Sequence, residues 1–343
     1  LLKKQPHRIT RSDVAREAGT SVAVVSYVIN NGPRPVAQAT KKRVLDAIKK
    51  IGYRPNGIAR ALASGTTQTY GLVVPDISNP FISSMAHALQ REAFSRGQVL
   101  LLGDAGDSRQ RELELINNLL HRQVDGLLYT SVDRHPYIEL IQASGTPFVM
   151  LDRVDPALKI NTIRVDERAA AFQATQHLIE HGYRDIAIIC GPLDMLNTQD
   201  RVNGWRDALQ QADLAIHNEW IFSTSYTRPG GYLAAQQMLK GPLPQALFAT
   251  NELQAFGCLR AMAEHHLSAP QDLALVCFNG TIESEYNVPS LTTVRQPVDA
   301  MAKIAIDMLK NGDGTPTIRE FDFSLQIGES CGCCSSKKIN FLI

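Results

Sequence analysis

The sequence predicts an N-terminal all-α helix-turn-helix domain followed by an α/β body of two doubly wound parallel-sheet lobes. Three observations carry that prediction. Residues 12–30, SDVAREAGTSVAVVSYVIN, have the pattern of two short helices separated by a glycine turn. Positive charge is gathered at the same end of the chain. From Thr69 onward, apolar runs of strand length alternate with segments of helical period.

In the first helix Val14, Ala15 and Ala18 form the inner side, and in the second Val24, Val25 and Val28 do so. Gly19 ends the first helix, and Ser21 is placed to cap the second. Small side chains at Ala15 and Ala18 let the two helices cross closely, as a helix-turn-helix requires. A turn marked by Gly32, Pro33 and Pro35 leads to a third helix over 39–51, with Val44, Leu45, Ile48 and Ile51 as its apolar face and Gly52 as its stop.

Residues 1–65 carry 13 Lys/Arg against 3 Asp/Glu, a net of +10, whereas the remaining 22 Lys/Arg and 31 Asp/Glu give −9, within a chain of +1 overall. A basic head on an acidic body is the electrostatic footprint of a phosphate-backbone partner, so double-stranded DNA is the expected ligand of the head. After Pro55 comes a short helical stretch at 57–63, then a linker at 64–67. Seven residues cannot hold a helix alone in water, which makes this stretch a candidate for folding on DNA.

The strand runs of the body are YGLVVPDI, QVLLLGD, DGLLYTS and FVMLDRV, then DIAIICG, ALFATN and LALVCFN. Between the first two, Ile82, Met85, Leu89 and Ala93 recur at helical spacing. The strands form two sets, roughly 69–165 and 185–290, so two lobes are expected, with a ligand in the cleft beyond the carboxyl ends of their strands. The implied divisions are a DNA-binding domain at 1–54, a hinge helix and linker at 55–68, and a body at 69–343. Within the body, lobe 1 takes about 69–165 and 297–324, and lobe 2 about 166–294 and 325–330.

Composition is that of a globular protein, 44% hydrophobic and 20% charged, so disorder is not expected beyond the ends. No run of eighteen apolar residues occurs, and the start LLKKQPHR lacks the apolar core of an export signal, so a cytoplasmic protein without membrane contact is expected. Cys190, Cys258 and Cys277 lie in apolar patterns and are expected as reduced core thiols. Cys331, Cys333 and Cys334 lack the paired C-x2-C spacing and an obvious fourth ligand of a metal site. HLIEH, His177 to His181, fits the H-x-x-E-H zinc pattern, but it closes a helix ending at Gly182, where basic side chains have a dipole explanation. G-x-G-x-x-G, a P-loop lysine and a G-x-S-x-G elbow are all missing. Neither an enzyme nor a cofactor or metal is therefore expected.

The chain resembles the transcription regulators of the lactose-repressor type, the LacI/GalR family. The resemblance runs from Arg8 to about Glu329 and is carried by ITRSDVAREAG with SVAVVSYVIN, YRPNGIARALASG, DISNPF, DRVNGW, FATNELQAFG and LTTVRQP, in that order. It implies a homodimer docking two heads on the half-sites of a palindromic operator, and a periplasmic-binding-protein-like body taking a small effector. Val22 and Ala23 match the family's base-reading positions, where apolar side chains contact thymine methyls. Tyr27 stands where the family commonly has Arg and cannot make the bidentate contact to guanine, so a different half-site is expected. Leu62 matches the leucine that wedges into the minor groove, with Ala59 beside it. Thr10, Ser21, Ser26, Asn30, Arg34 and Asn56 complete the implied DNA face. Ala37 departs from the usual Ser or Thr helix cap.

For the effector, the resemblance implies Arg201, Asn251 and Asn279 from one lobe and Asp76, Asn79 and Phe81 from the other, with Asp152 and Arg153 after the fourth strand. Sugar-binding members have Asp where this chain has Asn279; an amide brings donors, which favours a ligand with an acceptor or acidic group more than Asp would. A sugar or related metabolite is the first expectation, acting on a repressor through lobe closure. The alternative is a solute-binding module without regulatory activity on DNA. Dimerisation is expected through the helices at 81–96 and 108–122.

Overall fold

The computed structural model describes residues 9–333 except 31, 33, 152–154 and 312–314, and of the side chains at 58, 59, 63, 156 and 311 nothing is described. Cys334, Asp152 and Arg153 thus lie outside the described residues. The chain divides into two compact units, Leu1–Thr67 and Gln68–Ile343.

The first unit holds α1 (Arg11–Glu17), α2 (Val22–Asn30), α3 (Gln38–Ile51) and α4 (Gly57–Ser64). Asp13 accepts from both the backbone N–H (2.9 Å) and the hydroxyl (2.7 Å) of Thr10, which fixes the start of α1. Gly19 turns the chain in the left-handed region (φ +61°), and Ser21 Oγ accepts from Val24 N–H at 3.3 Å to cap α2. Ala37 precedes α3 with no side-chain cap, and Gly52 ends it at φ +68°. The core of the unit is Val14, Ala15, Ala18, Val25, Val28, Val44, Ala47 and Tyr53. Two expectations are corrected. Val24 is only half-buried, because the buried stripe of α2 follows the i, i+3 pair Val25 and Val28. Leu45 is exposed, and Ala47 takes the core position expected for it, since the face of α3 runs through Val44, Ala47, Ile48 and Ile51.

The second unit contains two six-stranded sheets. The first is built from β1 (Thr69–Val74), β2 (Val99–Asp104), β3 (Gly126–Tyr129), β4 (Phe148–Met150), β5 (Thr162–Val165) and β11 (Ile318–Phe321), in the order β11-β5-β4-β3-β1-β2. The second is built from β6 (Ile186–Cys190), β7 (Ile221–Ser223), β8 (Ala246–Ala249), β9 (Ala274–Phe278), β10 (Thr292–Arg295) and β12 (Ser324–Gln326), in the order β12-β10-β9-β8-β6-β7. All pairings are parallel except β10 with β12. The apolar runs expected as strands are β1–β4, β6, β8 and β9. The strands β5, β7, β10, β11 and β12 are as short as β3, β4 and β8 but carry Thr, Ser, Gln, Arg or Glu among their apolar residues, so no continuous apolar run marks them.

The first sheet is flanked by α5 (Pro80–Ser95), α6 (Arg109–His121), α7 (Ile138–Ala143) and α13 (Val298–Asn311). The second carries α8 (Glu167–Glu180), α9 (Leu196–Gln211), α10 (Arg228–Met238), α11 (Glu252–Glu264) and α12 (Ile282–Tyr286). The chain passes between sheets three times, from β5 to α8, from β10 to α13 and from β11 to β12. A largely buried core draws on both sheets, from Leu72, Leu89 and Leu128 to Trp205, Phe248 and Phe278.

On the outer face of the second sheet, α10 and α11 approach until backbones touch. A Cβ on Gly231 would sit 2.2 Å from the Gln254 carbonyl, and one on Gly257 would sit 2.1 Å from the Arg228 carbonyl. Backbone cannot step aside as a side-chain tip can. Gly257→Ala is expected to lower stability by about 1–3 kcal/mol through overpacking, read as a lower urea midpoint.

Candidate functional site

In the first unit α2 leaves one edge outside its packing. Ser21, Val22 and Ala23 are exposed at its start, with Val22 44% accessible, and Asn30 is exposed at its end. Ser26 and Tyr27 are half-buried. Asn30 Nδ2 donates to Ser26 Oγ at 3.3 Å, which ties two of the implied contact residues to one another. The ring of Tyr27 lies where a Cβ on Gly32 would meet it at 2.7 Å, so Tyr27 also packs against the turn after the helix. Thr10 and Arg34 are exposed, and Asn56 is half-buried ahead of α4. On α4 Leu62 is 82% accessible, an apolar side chain held in water without cover from its own unit. The side chain of Ala59 lies outside the described residues.

In the second unit a cavity of about 150 Å³ opens between the two sheets. Most of its wall follows the carboxyl ends of strands: Asp76 and Asn79 after β1, Asp107 after β2, Thr130 and Ser131 after β3, Glu167 after β5, Asn197 after β6, Tyr226 after β7, Asn251 after β8, Asn279 after β9 and Gln296 after β10. This is where doubly wound sheets offer backbone ends and helix N-termini to a ligand. Phe81, Leu151, Met195 and Met301 supply apolar faces.

Six of the eight residues expected at this site line the cavity: Asp76, Asn79, Phe81, Arg201, Asn251 and Asn279. Several also hold the wall in shape. Asn79 Oδ1 accepts from Phe81 N–H at 3.0 Å and caps α5, while Asp76 accepts from the N–H and hydroxyl of Ser78, both at 2.8 Å. Asn251 caps α11 by accepting from Gln254 N–H at 2.7 Å and donates to the Tyr226 carbonyl at 3.0 Å. Asn279 has φ +61°, and its side-chain oxygen accepts from Gln296 Nε2 at 2.5 Å.

Arg201 is 3% accessible and forks onto Glu167 with bonds of 2.8 and 3.0 Å. A third donor reaches the Thr250 carbonyl at 2.6 Å, and the guanidinium lies 4.2 Å from the centroid of the Phe278 ring. The cation expected to grip an effector is thus met from within its own lobe, by a carboxylate that sequence reasoning missed. Tyr226, Gln296, Asn197 and Asp107 were missed as well. They lie one to seven residues beyond a strand end, Asp107 and Asn197 after strands that were recognised, and position alone does not separate a wall residue from any other loop residue. Burial pushes the Tyr226 phenol up to about 12, so it stays neutral, 2.6 Å from the Thr198 hydroxyl. Burial, with Asp76 and Asp104 nearby, raises the Asp107 carboxyl above its ordinary value.

A second cluster stands at the other end of α8. His177 and His181 converge there with Cys331 and Cys333, which follow β12. In the sequence each half is a separate signal that lacks partners; the fold supplies them to one another. Burial alone would push the Cys331 thiol up, but hydrogen bonds with His177, Thr292 and Cys333 outweigh it and bring it to about 7. Burial pushes Cys190, Cys258 and Cys277 up to about 12, in keeping with inert core thiols.

A helix-turn-helix unit joined to a two-sheet body with a polar cleft at its strand ends defines a ligand-binding DNA regulator. Residues 10–56 match the model of bacterial regulatory proteins of the lacI family, and 67–308 match that of periplasmic binding proteins and the sugar-binding domain of the LacI family. The chain belongs to the LacI family of transcription regulators. It is 35% identical over 314 residues to the ribose operon repressor of Escherichia coli K12, covering 91% of this chain and 95% of that protein. It is 34% identical over 304 residues to catabolite control protein A of Priestia megaterium, covering 88% and 91%. A lac repressor dimer bound to operator and the anti-inducer ONPF superposes with a TM-score of 0.84 at 25% identity, covering 94% of this chain and 99% of that one. A complex of the regulator CelR with cellobiose gives 0.71 at 29%, covering 94% and 100%. These relatives are DNA-binding regulators. Among the described residues no helix is long and apolar enough to cross a membrane.

The Arg201–Glu167 pair is buried on both sides, so removal of one partner strands the other charge. Glu167→Gln is expected to cost about 3–5 kcal/mol in urea unfolding, whereas the Glu167→Met/Arg201→Met double variant loses less than either single one. Equal or additive losses would show that the pair does not act as a unit.

Proposed function

We propose that this chain is a repressor that binds a palindromic operator as a homodimer and takes a sugar or related polyhydroxylated metabolite in the cleft. The observation that carries this is the make-up of the cleft wall. Carboxylates, amides and hydroxyls alternate around it beside the Phe81 ring, the mixture of donors, acceptors and apolar faces that suits a ligand bearing many hydroxyls. The names of relatives agree: one represses a ribose operon, and another was obtained as a cellobiose complex. Asp76, Asn79, Phe81, Asn251 and Asn279 form the candidate contact set, and Arg201 acts mainly through Glu167, which it holds at the cleft. The proposed activity is binding alone.

On the DNA side, Val22 and Ala23 present apolar edges suited to thymine methyls, and Leu62 is the candidate wedge for a minor-groove step. Effector occupancy and operator binding are linked through lobe closure and the hinge segment at 57–64, with a coupling of about 1–3 kcal/mol as in other two-site systems. The dimer is assigned to the first sheet's edge, where Phe94 is 79% accessible and Val99 and Leu102 are also exposed on α5 and β2.

Operator selection from random palindromes followed by gel shift is expected to give binding that weakens on the order of a thousandfold between 50 and 200 mM salt. Salt-insensitive or missing binding would favour the solute-binding module instead. A thermal-shift panel of sugars, sugar acids and nucleosides is expected to yield a ligand that both stabilises the protein and alters operator affinity. Phe94→Asp is expected to shift the protein to monomer in sedimentation and to weaken operator binding with it; an unchanged dimer would place the interface elsewhere.

A further inference from the structure

We propose that His177, His181, Cys331 and Cys333 form a tetrahedral site for zinc that clips the C-terminal segment to the end of α8. The cluster lies apart from the cleft, and no part of the proposed function uses it. The two histidines are one helical turn apart, on the last turn of α8 and at its C-cap, with ring centroids 4.7 Å apart. Both turn Nε2 toward sulfur: His177 Nε2 is 3.2 Å from Cys331 Sγ and 3.8 Å from Cys333 Sγ, and His181 Nε2 is 3.0 Å from Cys333 Sγ. All four ligand atoms lie within 4.8 Å of one another.

Zinc held at its ordinary bond lengths to two sulfurs and two imidazole nitrogens spaces them about 3.3–3.8 Å apart, so the observed set needs shifts of about an ångström or less. Charge closes too. Two thiolates and two neutral imidazoles sum to −2, which a divalent cation cancels, and a mixed set of two nitrogens and two sulfurs favours zinc over magnesium or calcium.

The cysteines do not hang on a loose tail. Ser330 Oγ donates to the Leu275 carbonyl at 2.6 Å and accepts from Thr292 N–H at 2.9 Å, while the Ser330 carbonyl accepts from Leu275 N–H at 2.7 Å. Cys331 is fully buried, with its sulfur accepting from Thr292 Oγ1 at 2.9 Å. The tyrosine after the helix, Tyr183, donates to the Cys331 carbonyl at 3.3 Å. One ligand pair is thus fixed by β9 and β10 and the other by α8, so the site is assembled by folding. Because α8 opens the second-sheet lobe and residues 328–333 close it, a bound ion would cross-link that lobe's two chain ends, the kind of long loop closure from which a metal clip gains most.

The test is metal analysis of the full chain purified under reducing conditions without chelator. One zinc per chain is expected, and after exchange for cobalt a visible spectrum of tetrahedral cobalt with thiolate-to-metal charge transfer. His181→Asn and Cys333→Ser, both at positions outside the sealed core, are expected to weaken zinc more than about a hundredfold and to remove that spectrum. Cys334→Ser is expected to leave it intact. The proposal is overturned by substoichiometric metal, by a spectrum of octahedral cobalt, by zinc affinity unchanged in both ligand variants, by loss of the spectrum in Cys334→Ser, or by a Cys331–Cys333 disulfide in the reduced preparation. Zinc retention by the wild type with a raised melting temperature supports it.

Discussion

The buried fork of Arg201 on Glu167 is the constraint around which the second lobe is arranged. Glu167 opens α8, Arg201 lies within α9, the Thr250 carbonyl follows β8, and Phe278 ends β9 beneath the guanidinium. Four elements therefore meet at one cation. Moving α8 or α9 alone would leave a charge unpaired in a poorly hydrated place, and moving β8 or β9 would cost the guanidinium a hydrogen bond or its ring contact. The pair also brings an acidic group to the cleft at a fixed position, so the same contact that orders the lobe sets the polarity of its binding surface.

Much of this was legible in the residues. The head was readable because its signals are local: Gly19, Gly52, the Ser21 cap and the small residues of α1 each dictate backbone within a few positions. The long strands were readable for the same reason, since five or six apolar residues bounded by Gly, Asn or Asp have few alternatives. β7 and β12 were not, because Ser223, and Ser324 with Gln326, interrupt the apolar run, and the pairing that makes them strands comes from neighbours distant in sequence.

The cleft was half legible. Asn251 and Asn279 were found because they follow recognisable strands. Glu167 was not, for it follows β5, whose Thr162 and Arg164 break the apolar run, and its pairing with Arg201 spans 34 residues. The motif around Arg201 pointed to a ligand-gripping arginine, and the structure shows a guanidinium whose charge is met by its own lobe. The His and Cys cluster failed in the same way. Each half carried a weak local signal, and their convergence depends on a contact between residues 154 positions apart.

The topology has a practical consequence for exchanging ligand preference among relatives. The second sheet is written in two stretches of chain, one from α8 to β10 and one from β12 onward, with α13 and β11 returning to the first sheet between them. A contiguous transplant of the first stretch would seat a foreign β10 against the host's β12 and a foreign Thr292 against the host's Ser330. Chimeric regulators built on this scaffold must therefore carry both pieces together, as one module encoded discontinuously.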